Sequence, residues 1–569
     1  MTPTPINRLL DRLDEAKRNF GVGTHHSTEK ILSQITLKKI DDAEALIRFH
    51  EILLFICAYP QSARLKQMAD SILRSFADRV AELREQGADL SALETPEVAG
   101  IAGTSVSDTF SYPIVRWLVK QQARRVALDW DYFEDETRLA QTWPRFMPLL
   151  AEDASVEANV SYKSWLRAAI PPGMKELPWL VQQFESLPRT EAEKTELFDS
   201  QKLYVSWTPP YRATRTGMRL TARKIFYHRE PLIRRKDVFL RQELQEPSPV
   251  LERLPPKRGQ AIIDMSREAS TVRYRELYGF THGDADRVLR TNLGRGVELF
   301  VTGIPPDRRL PLRAYHAAMI FKNGVPVGYF EGLSLFERME SGFNLYYTFR
   351  DGETAWLYAR ILNIFRHLLG VTTFAIDPYQ IGYENEEGIE SGAFWFYRKL
   401  GFRPTNPGVL KILLNEEKKL AARSGYRTTA ATLRRMAEGP MVFELDESHA
   451  GDWDRFELRN AGFRVQRLMG AKFNGDADKF RTESINALAR TLGIQPGSLR
   501  SVEATAFSDF AVTLSLVKDV TGWSSSEKQL LLRIIRAKAS ADEGTYLKLM
   551  QQHDLLRRAV IELGSGRNQ

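Results

Sequence analysis

Tyr397, in the last third of the chain, is the side chain whose sequence surroundings best suit a role in proton transfer. It lies in the stretch SGAFWFYRKLGFRP, residues 391–404. Gly401 favours the left-handed conformation that ends helices. A phenol, with an ordinary pKa of about 10, can return a proton to a departing thiolate; a plain core position is the other interpretation. Four residues recur at helical spacing, which predicts a short helix with one phenol on its apolar face: Ala393, Phe396, Tyr397 and Leu400.

A second chemical feature is the positive charge concentrated between residues 211 and 236. The wider stretch 201–260 holds 14 Lys and Arg residues against 5 Asp and Glu residues, whereas the whole chain carries a net charge of +8. Cations interleaved with Tyr211, Phe226 and Tyr227 suit phosphate contacts combined with base stacking. Two interpretations stay open: a site at 211–236 for RNA, another polyanion or an acidic protein, and a solvated pair of strands that neutralises acidic neighbours.

The composition is that of an ordinary globular protein, with 43% hydrophobic and 27% charged residues. No apolar run approaches the roughly 20 residues that cross a bilayer, so we expect no membrane span. The N-terminus lacks the pattern of a signal peptide, and the single cysteine excludes an internal disulfide bond. We therefore expect a cytoplasmic protein. One cysteine and nine scattered histidines predict no metal site.

The elements that must position these residues fall into four consecutive parts. Residues 1–200 are predicted to be a helical domain, 201–257 a basic extended segment with a proline-rich linker, 258–445 an α/β domain, and 446–569 a second helical domain. In the third part Asn323-Gly324 is the strongest short hairpin signal. The helices predicted there span 271–278 and 354–369, and the predicted strands span 261–264, 296–303, 314–321, 325–335, 342–349 and 371–376.

Residues 342–404, and more loosely 261–445, resemble the GNAT acetyltransferase superfamily. The resemblance rests on FYRKLGF at 396–402 and on the order of hairpin, strand, helix, strand and helix. It implies an α/β fold (an α+β mixed sheet), with a central GNAT-like domain flanked by mainly helical regions. The implied activity is transfer of an acetyl group from acetyl-CoA, or of another acyl group from another acyl-CoA, to an amine of a small-molecule or protein acceptor.

The resemblance also implies where the cofactor binds. In GNAT domains the pyrophosphate of acetyl-CoA lies on backbone N–H groups between the fourth strand and the next helix, and the matching segment here is FRDGETA. Gly352 and Thr354 occupy glycine positions of the family pattern, whereas Phe349 stands where Arg or Gln is expected. The alternative is a turn whose acidic residues complement the helix dipole. The candidate cofactor-binding residues are Arg350, Asp351, Gly352, Glu353, Thr354 and Ala355.

For the reaction itself, the resemblance implies that Tyr397 protonates the thiolate of coenzyme A. Glu331, on the strand after the hairpin, is the candidate base. Asp377 and the acidic cluster at 384–390 are further candidates, and for the cluster a solvated loop is the alternative. Where related enzymes can carry a carboxylate, this chain has Asn344. The candidate substrate-binding residues are Asn344, Tyr346 and Asp377; for Tyr346 the alternative is sheet core, and Asp377 ends a strand at the carboxyl edge of the sheet.

Two further functions stay open. A transferase on the same fold could take an aminoacyl group from a charged tRNA, which the basic segment favours, although no second FYxKLGF element precedes residue 255. A non-catalytic GNAT-like scaffold or regulatory protein, which binds partners or an anionic polymer, is favoured by the missing Arg or Gln of the phosphate motif.

Overall fold

The structure, a computed structural model, describes residues 5–21, 23–133, 135–156, 161–540 and 542–566. The chain folds into two compact units, each assembled from segments that are not consecutive in sequence. Unit 1 comprises residues 1–231, 261–281 and 322–326, and unit 2 comprises 232–260, 282–321 and 327–569. The four consecutive parts expected from the sequence stay a prediction.

Unit 1 contains many short helices and a small antiparallel sheet. The sheet has the order β1-β3-β2 and consists of β1 (Val106–Asp108), β2 (Val126–Leu128) and β3 (Val205–Trp207). Apolar side chains at three- and four-residue spacing give most of the longer helices one buried face, whereas α3 is buried on nearly all sides. The helices before residue 200 are α1 (Pro5–Ala16), α2 (Thr24–Thr36), α3 (Ala43–Ala58), α4 (Ala63–Arg74), α5 (Phe76–Glu85), α6 (Tyr112–Gln122), α7 (Leu150–Val156), α8 (Tyr162–Ala169), α9 (Glu176–Ser186) and α10 (Glu191–Asp199).

The next elements along the chain correct two predictions. They are α11 (Leu240–Gln245), β4 (Glu252–Arg253), α12 (Pro256–Thr271) and α13 (Tyr278–Thr281). The predicted strand 261–264 is wrong because it lies inside α12, where burial recurs at helical spacing over Ile262, Ile263, Ser266, Ala269 and Ser270. The predicted helix 271–278 is wrong as well, since α12 ends at Thr271 and the chain then turns.

A nine-stranded mixed sheet organises the rest of the fold, which confirms the mixed α/β class. Its order is β11-β12-β10-β9-β8-β7-β6-β5-β4, with β9 and β10 parallel. The predicted hairpin is confirmed, because Asn323 and Gly324 take positive φ values of 49° and 81° between its strands. The strands are β5 (Val288–Gly294), β6 (Val297–Thr302), β7 (Ala314–Lys322), β8 (Val325–Leu335), β9 (Arg338–Leu345), β10 (Thr373–Ile376), β11 (Arg403–Pro404) and β12 (Met441–Glu444).

α14 (Thr354–Leu369) lies against one face of this sheet and has the predicted bounds. Its Phe365 ring stacks on Phe330 of β8 with centroids 4.9 Å apart, and its Tyr358 hydroxyl group is 2.9 Å from the Ser341 hydroxyl group of β9. Gly370, at φ 76°, ends the helix.

The helices that follow in unit 2 complete the fold. They are α15 (Glu386–Glu390), α16 (Ala393–Arg398), α17 (Pro407–Ala422), α18 (Ala430–Met436), α19 (Leu458–Phe473), α20 (Ala477–Leu492), α21 (Ser501–Leu514), α22 (Ser525–Lys538), α23 (Glu543–Met550) and α24 (Asp554–Gly564).

Candidate functional site

Two parallel strands of the large sheet separate towards their carboxyl ends. β10 pairs with β9 only from Arg338 to Glu340, and β10 ends at Ile376. β9 continues to Leu345 and remains paired with β8 on its other side along that whole length. The last part of β9 therefore has one edge that β10 does not cover, and this edge can offer backbone N–H and C=O groups to a ligand.

A cleft of about 250 Å³ opens at this point, and we call it the β9–β10 cleft. It is bounded by the end of β9, the first turn of α14, the turn after β10 and the two short helices α15 and α16. The side chains and backbone that line it come from Phe343, Asn344, Leu345, Arg350, Thr354, Gln380, Asn385, Glu387, Gly388, Ser391, Ala393, Phe396 and Tyr397.

Tyr397 is the buried phenol of this cleft. Only 3% of the residue is exposed, and its ring packs edge-on against Tyr358 and Phe402, with centroids 5.6 Å away in both cases. Its hydroxyl group has no hydrogen-bond partner in the part of the chain that the structure describes, although the residue lines the cleft. Burial raises the pKa of Tyr397 well above its ordinary value. The phenol is therefore protonated at neutral pH.

The N-terminus of α14 forms another wall of the cleft. The turn before it is closed by the Gly352 N–H, which donates to the Phe349 carbonyl at 3.0 Å, and by the Thr354 hydroxyl, which donates to the Arg350 carbonyl at 2.9 Å. The N-cap residue, Glu353, supplies no side-chain cap. The first turn therefore lacks a cap from the Glu353 side chain, at the positive end of the helix dipole.

The Glu353 side chain, which was predicted to bind the cofactor, makes an ion pair instead. The side chain is 2% exposed and forms an ion pair with Arg295 at 2.5 Å. It also accepts a hydrogen bond from the Ile233 N–H at 3.2 Å. Its negative charge is therefore compensated by a guanidinium group, and its carboxylate is not among the groups that line the cleft.

Arg350 is the cation of the cleft, and it is already paired. Its guanidinium group forms an ion pair with Glu387, which also lines the cleft, and its Nε donates to the Leu345 carbonyl at 3.3 Å. The same group lies 5.9 Å from the centre of the Tyr347 ring. A phosphate that enters here must compete with the Glu387 carboxylate for this arginine.

Four of the residues predicted from the sequence come together in the cleft: Asn344, Arg350, Thr354 and Tyr397. The others lie elsewhere. The Tyr346 ring packs towards Tyr329 at 6.4 Å, and the Asp377 carboxylate accepts the Tyr379 N–H at 2.9 Å. Asp351 is exposed, Ala355 is buried, and neither these two nor Gly352 lines the cleft.

Glu331 also lies outside the cleft, on the next strand. It is opposite Gly342 in the β8–β9 register, so both residues are on the sheet face opposite α14, which contacts Ser341. A Cβ at Gly342 would be 3.9 Å from Glu331 Cβ and 3.8 Å from Gln380 Nε2 of the cleft. Burial raises the pKa of Glu331. The hydrogen bond that its carboxylate accepts from the Tyr315 hydroxyl group lowers the pKa, but by less.

Several lining residues are not among those predicted from the sequence, including Gln380, Asn385 and Ser391. Asn385 Oδ1 caps α15 by accepting the Gly388 N–H at 3.3 Å, and its Nδ2 donates to the Tyr379 carbonyl at 2.9 Å. An Asn followed by two acidic residues, Glu386 and Glu387, is a helix-start signal that could have placed this wall. Gln380 carries no such signal.

The basic segment 211–236 is not a pair of strands. In its described residues it contains two short 3₁₀ turns, Tyr211–Ala213 and Arg235–Asp237, and no strand. Arg215 is 2% exposed and pairs with Glu51 at 3.1 Å, so it is not part of a surface for a polymer. The interpretation as solvated strands is therefore corrected.

Comparisons of the chain with protein-family models, with curated proteins and with solved structures find no match in any of the three. Within the described ranges, no helix has both the length and the apolar character needed to cross a bilayer. The same ranges contain no group of three or more His, Cys, Asp or Glu side chains that could hold a metal ion.

Proposed function

We propose that this protein is a GNAT-type N-acyltransferase, which moves an acetyl group, or another acyl group, from its coenzyme A ester to an amine. One observation carries the proposal. The Tyr397 hydroxyl group, without a partner among the described residues, lines the same cleft as the N-terminal turn of α14. A proton donor and an anion-binding helix end are the two groups that such a reaction needs most.

The order of elements around the cleft supports the proposal. The β7–β8 hairpin leads to β9, α14, β10 and α16, which is the order that the resemblance implies for a GNAT core. β9 and β10 are parallel neighbours inside the sheet, and the cleft lies where their carboxyl ends separate. Open sheets that contain parallel strands tend to bind ligands at this place.

The residues present fit a coenzyme A ester. The first-turn N–H groups of α14 would hold the pyrophosphate, and the Thr354 hydroxyl group would donate to it after leaving the Arg350 carbonyl. Arg350 would contact the pyrophosphate after leaving Glu387. The uncovered edge of β9 would hydrogen-bond the amides of the pantetheine arm as an added strand does. With Glu353 neutralised by Arg295, the acidic residue closest in sequence to this helix end does not oppose the phosphates.

When bound, the coenzyme A ester supplies an activated acyl carbonyl group and a thiol leaving group. Tyr397 Oη holds the proton that the departing sulfur needs, and its raised pKa keeps the phenol protonated at neutral pH. Glu331 is the candidate base for the amine, beside Gly342 on the opposite face of the sheet. Asn344 on β9 would orient the ligand from the wall of the cleft.

A second candidate function rests on the ion pair between Arg350 and Glu387. Because it neutralises the guanidinium group of the cleft, the observation favours a non-catalytic GNAT-like scaffold whose cleft no longer takes phosphate. No contact in the cleft favours the tRNA-dependent transferase, which the assay with an aminoacyl-tRNA donor tests.

The test is an acyl-transfer assay with the full-length protein. Release of free thiol from acetyl-CoA is followed with a panel of primary amines as acceptors, and transfer from an aminoacyl-tRNA is followed in parallel. Amine-dependent thiol release supports the proposal. Transfer from the aminoacyl-tRNA alone would replace it with the tRNA-dependent reaction, and inactivity with both donors would favour the scaffold.

A further inference from the structure

Unit 1 contains a cavity of about 320 Å³ that is lined by cations. One wall is a face of α4, and another is the chain from Gly217 to Ile225, which belongs to the basic segment found in the sequence. We call this cavity the α4 pocket. Its charged lining residues are Lys66, Asp70, Arg74 and Arg219.

The charges on α4 lie on one face of the helix. Lys66, Asp70 and Arg74 follow each other at intervals of four residues. Asp70 accepts from Lys66 Nζ at 2.6 Å, whereas Arg74 has no carboxylate partner in the described part of the chain. With Arg219, the pocket holds three cations against one carboxylate, a surplus of two positive charges.

Arg219 is only partly compensated. One of its terminal nitrogens donates to the Met218 carbonyl at 2.8 Å, and the Asp70 carboxylate is 3.9 Å away. Its Nε is buried and has no acceptor among the described residues. A buried N–H group that is left unpaired is unfavourable, so a guanidinium group in this state gains from an anion beside it.

Apart from Asn323, the remaining walls are apolar, and they are held in place. Leu220, Ala222 and Ile225 line the pocket, and so does the Tyr211 ring, which packs so closely on Gly217 that a Cβ there would come within 2.7 Å of it. The Leu220 N–H donates to the Gly324 carbonyl at 2.8 Å, which fixes this wall. The pocket is therefore formed before any ligand arrives.

We propose that the α4 pocket binds a small phosphate monoester with an apolar or aromatic body. A phosphate monoester carries about two negative charges at neutral pH, which matches the surplus in the pocket. Two guanidinium groups suit its oxygens, and the apolar walls with the Tyr211 ring suit its body. The volume is at the lower end of the range for small-molecule sites, about 300–1,000 Å³, which selects small esters.

The test is a calorimetric titration of the full-length protein with phenyl phosphate, phenyl sulfate and inorganic phosphate. Phenyl phosphate should bind with saturation and at least tenfold more tightly than phenyl sulfate, which has the same ring and one charge less. Inorganic phosphate should compete with phenyl phosphate but bind more weakly, because it leaves the apolar walls empty.

Two variants with a matched control locate the binding. Arg74→Gln should weaken phenyl phosphate about tenfold or more, since a charge-assisted hydrogen bond is lost. Arg64→Gln removes the same charge from α4 at a side chain that is 80% exposed and outside the pocket. It should leave the affinity for phenyl phosphate unchanged. Ala222→Leu should weaken phenyl phosphate and leave inorganic phosphate unaffected.

Three results would each overturn the proposal: no saturable binding of phenyl phosphate, equal affinity for phenyl sulfate, or equal losses in the Arg74 and Arg64 variants. The Tyr397→Phe variant should bind phenyl phosphate as the wild type does, so the outcome is independent of the acyltransferase proposal.

Discussion

At the scale of single residues, burial sets the acid–base character of the side chains that matter most. Burial alone raises the pKa of Tyr397, and for Glu331 it outweighs the hydrogen bond from Tyr315, which acts in the other direction. In both cases the neutral form is favoured, because moving a charge out of water is costly. The phenol is therefore protonated at neutral pH, and the carboxyl group keeps its proton to a higher pH than an ordinary glutamate.

Replacing Tyr397 by Phe should lower the turnover number about 10²-fold or more, as general acids typically contribute 10²–10⁴-fold, while acetyl-CoA affinity stays unchanged. Tyr358→Phe is the matched control. It removes a neighbouring buried hydroxyl group, which contacts Ser341 rather than the cleft, and should reduce stability by about 1 kcal/mol with little effect on turnover. Equal turnover in the wild type and the Tyr397 variant would contradict the assignment.

The pH dependence of kcat/KM tests the proposed role of Glu331. As a base it must be ionised, so kcat/KM should rise with pH through a pKa above the usual glutamate value of about 4.3. Glu331→Gln should abolish this rise and lower the rate. The folded-state pKa is raised, so the stability contributed by the neutral carboxyl group is present at low pH and lost as pH rises through that pKa. The Gln variant should therefore melt no lower than the wild type at pH 7.

Asp377→Asn serves as the control for this pH profile. Asp377 is a second carboxylate at the end of β10, and an Asn can still accept the Tyr379 N–H. The rise of kcat/KM with pH should persist in this variant. If it disappears there and persists in Glu331→Gln, the roles of the two carboxylates must be exchanged.

At the scale of elements, the sequence was informative where local signals were strong. The bounds of α14 follow from its apolar spacing and from Gly370, and the β7–β8 hairpin follows from Asn323-Gly324. The strand predicted at 261–264 is wrong because Ile262 and Ile263 begin a helical periodicity of buried residues that continues to Ser270. Short apolar runs cannot separate helix from strand unless a longer window is used.

The candidate cleft could be predicted only in part, for a related reason. Tyr397 and the turn before α14 carry local signals, a phenol beside a helix end and a glycine turn. Gln380 lines the cleft from a loop and is brought there by the sheet, which no local pattern encodes. Neither the separation of β9 from β10 nor the pairing of Arg350 with Glu387 can be derived without the tertiary fold.

The hairpin turn makes a prediction about close packing. A Cβ at Gly324 would come 2.2 Å from the Leu220 carbonyl oxygen, in a residue with φ +81°. Gly294 has nearly the same φ, +84°, and open space around its Cβ position. Gly294→Ala should lower the free energy of unfolding by about 1–2 kcal/mol through the left-handed backbone alone. Gly324→Ala should lower it clearly more, and equal losses in denaturant titrations would contradict the close approach.

At the scale of the whole molecule, the C-terminal helices are part of unit 2 and are anchored to its sheet. Lys538 of α22 and Glu543 of α23 form an ion pair at 2.6 Å, with both side chains 3% exposed. Lys538 Nζ also donates to the Arg313 carbonyl at 2.8 Å, just before β7. A buried pair of this kind is stable only while both charges are present.

Lys538→Met should therefore destabilise the protein by about 3–5 kcal/mol, because it leaves the Glu543 carboxylate buried and uncompensated. The double variant Lys538→Met/Glu543→Leu should recover much of this loss, since it removes both charges. Thermal unfolding of the wild type and the two variants measures the difference. A double variant less stable than Lys538→Met would show that the pair is not the main anchor.

The central claim is that the β9–β10 cleft binds a coenzyme A ester through the N-terminus of α14, and calorimetric titration with acetyl-CoA tests it most directly. Thr354→Asp should change the melting temperature little, because a carboxylate suits a helix N-terminus although the hydrogen bond to the Arg350 carbonyl is lost, and it should abolish binding by repelling the pyrophosphate. Thr354→Ser should bind normally. We predict saturable, micromolar binding to the wild type and the Ser variant only; no binding to the wild type, or equal binding to the Asp variant, would contradict the claim.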